Sequence, residues 1–90
     1  MFNMKPPFRM MIASNLTDGH PRNSLELMDE LRPLYGTERQ FTREVVESHL
    51  QSLKAVGIVR DDEAEVDADG RLLVRYAITD FGRDKLRSSL

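Results

Sequence analysis

Cysteine is absent from the 90-residue chain, which excludes disulfides, thiolate zinc sites and iron–sulfur clusters. Long apolar runs are absent as well. The longest run near the start, Met10–Ala13, is far shorter than the roughly 18 residues of a membrane span and than the core of a secretory signal. The composition therefore predicts a soluble protein with no membrane partner, and we expect it to be cytoplasmic.

The residues of an enzyme site are also scarce. Neither His20 nor His49 has a second metal ligand at helical spacing. There is no glycine-rich phosphate loop, because Asp18-Gly19 and Asp69-Gly70 are turn signals. The acidic run before Gly70 lacks the spaced pattern of a calcium-binding loop. We expect no enzymatic activity, no cofactor and no metal site.

The length allows one domain and excludes a barrel of about 200 residues. Apolar residues make up 40% of the chain and charged residues 31%, which is typical of a globular protein. A core can form at this length without cross-links. We therefore expect a single domain over residues 1–90, with residues 1–6 frayed.

Negative charge is concentrated in one stretch. The formal net charge is only −2, which gives no overall attraction to nucleic acid. Within residues 61–69, six of nine residues are acidic: Asp61, Asp62, Glu63, Glu65, Asp67 and Asp69. This stretch is called the acidic run below.

The spacing of apolar residues predicts a first helix that begins at Pro7. Proline suits a first helical position, where its missing N–H costs nothing. Apolar residues then follow on one helical stripe: Phe8, Met11, Ile12 and Leu16. Asp18-Gly19 is expected to end this helix.

A second helix is predicted after the loop. Either Asn23 or Ser24 can cap it, and with Asn23 as the cap Glu26 completes a capping box. Because the residue before a proline avoids helical geometry, we expect the helix to end near Arg32, before Pro33. Its buried face would be Leu27, Met28, Leu31 and Leu34.

The third helix has the clearest signals. Thr42 caps its start, and Gly57 ends it in a left-handed conformation. Its apolar face consists of Val46, Leu50 and Leu53. The opposite face and its flank carry small or polar residues: Glu44, Glu47, Ser48, Gln51, Lys54 and Ala55.

After the third helix the apolar period changes to 2, which predicts a β-hairpin. A two-residue Asp69-Gly70 turn would pair Val66 with Leu73, on the wrong face. A three-residue loop, Ala68–Gly70 with Gly70 left-handed, pairs Val66 with Leu72 instead. We favour the three-residue loop because the apolar sides of the two strands then agree.

A short last helix follows, with Thr79 as its cap and Gly82, Leu86 and Leu90 on one face. The combined pattern predicts a hydrophobic core. Its expected members are Phe8, Ile12, Leu16, Leu27, Leu31, Val46, Leu50, Leu53, Ile58, Val74, Tyr76 and Ile78.

Two runs of residues resemble MarR-, PadR- and ArsR-like transcriptional regulators. Residues 41–60 are similar to the family's recognition helix and the strand that follows it. In the family, a leucine is followed by three residues and then by Gly-Ile/Leu-Val; in this chain the leucine is Leu53 and the Gly-Ile-Val is residues 57–59. Residues 76–86 resemble the family's exit from the wing, Tyr-x-Ile-Thr-x-x-Gly with a leucine four residues later. The resemblance covers roughly residues 7–90.

The resemblance implies a winged helix-turn-helix fold of the α+β class, mainly helical. Such a domain has a three-helix core, a two-stranded wing, a short C-terminal helix and a short third strand between the first two helices. It also implies a DNA-binding transcriptional regulator, with the third helix offered to the major groove of double-stranded DNA and the wing near the backbone or minor groove. A homodimer would read enough base pairs for specificity.

The DNA-binding residues implied by the resemblance lie on and beside the third helix. Arg43 could pair with guanine, Gln51 with adenine, and a glutamate could accept from cytosine. The full set is Arg39, Thr42, Arg43, Glu44, Glu47, Ser48, Gln51 and Lys54. A plainer interpretation of Arg43 and Glu47 is an i, i+4 surface ion pair.

The acidic run departs from the family pattern, because wings that grip DNA carry lysine or arginine near the tip. It is compatible with an edge hairpin kept soluble by charge. We favour that interpretation over the alternative, a wing that meets a basic protein partner. The alternative function is therefore a winged-helix protein-interaction module with little DNA affinity.

Overall fold

The computed structural model describes residues 7–89, so the expectations for residues 1–6 and for Leu90 lie outside the described part of the chain. Residues 7–89 form four helices and one two-stranded antiparallel sheet. The elements are α1 (Phe8–Ser14), α2 (Ser24–Tyr35), α3 (Arg43–Ala55), β1 (Val59–Val66), β2 (Leu72–Ile78) and α4 (Asp80–Ser89). This order confirms the winged-helix fold. Among residues 7–89, no helix has the length and apolar character needed to span a bilayer.

The predicted caps of α2 and α3 are confirmed. Asn23 caps α2 and forms a reciprocal capping box with Glu26. The Thr42 hydroxyl accepts a hydrogen bond from the Val45 N–H at 3.2 Å. After α3, Gly57 has a φ of +81° and its N–H donates to the Lys54 carbonyl at 3.0 Å, which confirms the left-handed end of the helix.

The predicted end of α2 is wrong, because the helix continues through Pro33 to Tyr35. The Arg32 carbonyl still accepts from the Gly36 N–H at 2.9 Å. The extra turn buries Tyr35, whose ring centroid lies 4.9 Å from that of Phe8. Burial of an aromatic ring outweighs the local cost of a proline in a last helical turn. Leu34, expected on the buried face, is half exposed instead.

The predicted hairpin register is confirmed. Val66 pairs with Leu72 across the wing, and Gly70 has a φ of +80°. This apolar pair is nevertheless exposed, with 68% and 62% of its surface accessible, whereas Leu73 is buried. A β-bulge between Asp61 and Ala64 shifts the pairing in β1. Bulges bend a strand and increase its twist, so the outer wing does not present the face that strict alternation predicts.

The core lies between the three N-terminal helices and the base of the wing. Most of the predicted core residues are buried, but Ile58 and Val74 are only partly buried. Further buried positions are Ala13, Tyr35, Val59, Leu73, Ala77 and Leu86. A single backbone bridge joins Arg22 to Tyr76, at the place expected for a short third strand.

Candidate nucleic-acid interface

Helix α3 is fixed to the core by one face and open to solvent on the other. Val46, Leu50 and Leu53 are buried. The outward face carries Glu44 and Ser48, both exposed. Because the helix is capped at both ends and anchored along one side, its outer face is a rigid surface.

One flank of α3 faces the wing rather than open solvent. Arg43, Glu47 and Lys54 occur at i, i+4 and i+11, a spacing that places them on one side of a helix. Arg43 Nε donates to Glu47 Oε2 at 3.1 Å. Glu47 Oε2 also accepts from the hydroxyl of buried Ser24 at 3.3 Å, so Glu47 joins α3 to the start of α2. These contacts agree with the plainer interpretation of Arg43 and Glu47 as an ion pair.

A carboxylate at the wing tip also contacts Arg43. Arg43 Nη2 lies 2.9 Å from Asp67 Oδ2, and the two side chains expose only 14% and 11% of their surface. Both atoms are shielded from solvent and lack a well-aligned hydrogen bond, so the contact is an ion pair. Asp67, and then Glu47, raise the pKa of the Arg43 guanidinium above its usual value.

Backbone N–H groups of the turn at the wing tip hold the Asp67 carboxylate in place. Its Oδ1 accepts from the backbone N–H groups of Asp69 and Arg71, each at 2.9 Å. The Arg71 N–H contributes most to lowering the pKa of the Asp67 carboxyl; desolvation opposes this and Arg43 adds to it. Oδ2 is thereby left directed at Arg43.

Two further polar contacts join the wing to α3. Gln51 Nε2 donates to the Tyr76 hydroxyl at 2.6 Å, and burial raises the pKa of that phenol. Lys54 Nζ lies 2.8 Å from Asp61 Oδ2, and this hydrogen bond raises the pKa of the Lys54 ammonium. The wing therefore runs along α3 from Lys54 to Arg43.

The remaining expected residues lie at the start of α3. Arg39 is exposed in the connection from α2 and has no ion-pair partner among residues 7–89. The hydroxyl of Thr42 is used by the helix cap. The eight residues named from the sequence thus form three groups. Arg43, Glu47, Gln51 and Lys54 contact neighbouring elements, Glu44 and Ser48 face outward, and Arg39 and Thr42 flank the helix start.

Three wing residues that contact α3 were not among the site residues expected from the sequence: Asp61, Asp67 and Tyr76. The sequence feature that pointed to these contacts is charge: the acidic run is negative, whereas the α3 flank carries the cations Arg43 and Lys54. A hairpin that begins at the C-terminal end of α3 and turns back must pass the flank of that helix, so its carboxylates can meet the helix cations. Arg75 adds an attachment from β2 to Glu26 at the start of α2.

Comparison with known proteins supports a regulator-like fold. No protein-family model matches the chain, and no curated protein matches it significantly. Solved structures with this fold include a candidate transcriptional regulator from Thermoplasma acidophilum, 25% identical with a TM-score of 0.69, over 89% of this chain and 73% of that chain. A PadR-like transcriptional regulator from Bacillus cereus is 16% identical with a TM-score of 0.66, and the match covers 89% of this chain and 74% of that chain. The resemblance to PadR-like winged-helix regulators is confirmed.

Proposed function

We propose that this chain is a DNA-binding transcriptional regulator that presents α3 to the major groove of double-stranded DNA. The observation that carries the proposal is the rigid polar outer side of α3, in a fold shared with transcriptional regulators. A helix fixed to the core in this way can enter the major groove while other parts of the domain contact the DNA backbone. No cluster of three or more potential metal ligands occurs among residues 7–89.

The roles of the individual residues follow from their chemistry and position. Arg43 is proposed to contact guanine and Gln51 adenine, while Glu44 or Glu47 accepts from cytosine N4. Ser48 faces outward between them and can contact a base edge. Arg39, Thr42 and Lys54 lie at the two ends of α3, where they would contact phosphates and position the helix.

We propose that the regulator acts in the cytoplasm as a homodimer on a palindromic site. One small domain with few cations reads too few base pairs for useful specificity. Two recognition helices would then lie about 34 Å apart, one turn of DNA. Sedimentation at micromolar concentration tests this directly: a dimer is expected, and a monomer at high micromolar concentration would contradict the proposal.

Binding to mixed-sequence duplex DNA at several salt concentrations tests the function. A regulator should bind at low salt and lose affinity steeply as salt increases, because bound phosphates release counterions. Arg43→Ala should weaken binding. Arg87→Ala is the matched control, because Arg87 is an exposed arginine on α4 and is not one of the proposed DNA-contacting residues. Absence of binding at low salt would instead favour a protein-interaction module.

A further inference from the structure

The cation best placed to contact DNA is already neutralised within the free protein. Arg43 lies between two carboxylates, with Glu47 on its own helix and Asp67 at the wing tip. Its side chain is 14% exposed, so an incoming phosphate or base would find little of it accessible. A carboxylate presents an arginine with the same type of anionic oxygen that a DNA phosphate does.

We propose that Asp67 is an autoinhibitory group, which masks Arg43 in the free protein and must release it before α3 can bind DNA. The proposal rests on the proposed function, since it assigns the wing tip a regulatory role in DNA binding. The masked state is the one seen in the structure. In the bound state Arg43 exchanges Asp67 for DNA.

Two features favour a mask at the wing tip over a chance surface contact. First, Asp67 Oδ1 is fixed by two backbone N–H groups, so the carboxylate loses little conformational freedom when Oδ2 pairs with Arg43. Second, contacts closer to the wing base keep the hairpin along α3. These are Gln51 with the Tyr76 hydroxyl and Lys54 with Asp61.

The mask also accounts for the acidic wing. Carboxylates near DNA reduce its affinity, which is a disadvantage for a wing that grips the duplex. For a wing tip that occupies an arginine, the negative charge is the functional feature. Tyr76 and Ile78 keep the base of the wing in the core. A movement confined to the wing tip would therefore be enough to free Arg43.

Asp67→Asn tests the mask with little disturbance of the turn. The asparagine carbonyl oxygen can still accept from the two backbone N–H groups, while an amide nitrogen replaces the oxygen that faces Arg43. Asp69→Asn is the matched control. It removes the same charge two residues away, from a carboxylate that has no ion pair among residues 7–89. Thermal melting checks that both variants fold. Asp67→Ser provides a second test, because its hydroxyl can also accept a hydrogen bond from the N–H groups of the turn.

The measurement is affinity for a short mixed-sequence DNA duplex at low salt. Asp67→Asn should bind roughly fivefold tighter than the unsubstituted protein, and Asp69→Asn less than about twofold tighter, since only the first removes an ion pair to the contacting arginine. In an Arg43→Gln background the gain from Asp67→Asn should fall to that of the control.

The outcomes separate the two proposals. If all proteins bind DNA but Asp67→Asn and Asp69→Asn are equivalent, the mask is overturned and the regulator function stands. If the gain persists in the Arg43→Gln background, net charge explains it, and the mask is again overturned. If no variant binds at low salt, both proposals fail.

Discussion

Gly82 lies directly against the carbonyl oxygen of Ile58, so close that a Cβ atom at position 82 would overlap that oxygen. Thr79, three residues before Gly82, holds the start of α4 in this position. Its hydroxyl donates to the Gly57 carbonyl at 2.6 Å and accepts from the Gly82 N–H at 2.8 Å. The Thr-x-x-Gly pattern at the end of the wing therefore joins α4 to the turn after α3.

We expect Gly82→Ala to destabilise the domain by about 2–3 kcal/mol, because the clash is with backbone and cannot be relieved by a side-chain rotation. Urea denaturation measures the loss. Gly70→Ala is the comparison, since a Cβ at Gly70 meets no atom within 4 Å. Its left-handed backbone alone should cost about 1 kcal/mol. Equal losses in the two variants would contradict the close approach of α4.

Leu50 is fully buried at the centre of α3, so its side chain supports the proposed DNA-contacting helix from beneath. Leu50→Ala should cost about 2–5 kcal/mol of unfolding free energy, through lost apolar burial and a cavity. Val56→Ala at the end of the same helix is the control. Val56 is 61% exposed, and its truncation should change stability by less than about 0.5 kcal/mol. Unchanged melting of Leu50→Ala would show that the helix faces the core differently.

Pro33 interrupts the hydrogen-bond ladder of a helix that continues past it to Tyr35. Pro33→Ala restores a backbone N–H and a strong helix former, and we expect a gain of about 1–2 kcal/mol after allowing for a more flexible unfolded chain. Pro21→Ala, in the loop before α2, should instead lower stability by roughly 0.4–1 kcal/mol. The midpoints of urea denaturation compare the two directly. Loss of stability in Pro33→Ala would mean that α2 needs its proline.

The features that were predictable from the sequence depend on neighbouring residues. The caps at Asn23 and Thr42 and the left-handed Gly70 each follow from a side chain and a backbone turn a few positions apart. The extension of α2 through Pro33 was not predictable, because it depends on where Tyr35 packs in three dimensions. For the same reason, α3 could be identified as the candidate DNA-contacting helix while the wing contact of Arg43 could not.

The ion pair of Asp67 with Arg43 depends on the path of the wing. A bulge between Asp61 and Ala64 bends β1, and nothing in a period-2 pattern marks its position. The acidic run indicated that the wing was unusual. Only the folded arrangement identifies which of its carboxylates meets an arginine.

His49 provides a test of stability against pH, because it lies half-buried where α3 meets α1. Its ring packs edge-on to Phe8, with centroids 5.6 Å apart, and Arg9 Nε lies 3.5 Å from its Nδ1. Burial, and then the charge of Arg9, lower the pKa of His49 below its ordinary value of 6.5. The folded state therefore binds fewer protons than the unfolded state between these two pKa values.

Stability should consequently fall as pH decreases from about 7 through the pKa of folded His49, and His49→Gln should flatten this slope. The carboxyls of Asp18 and Asp67 have lowered pKa values, so their contributions are lost only at lower pH, below the ordinary carboxyl value of 3.8. Urea midpoints between about pH 7.5 and pH 5 isolate the histidine. His20→Gln is the control, because His20 lies exposed in the loop after α1 and contacts Asp18 and Arg22 through its backbone N–H and carbonyl. A slope that survives unchanged in His49→Gln would contradict the prediction, and the contact between α1 and α3 would then be independent of pH.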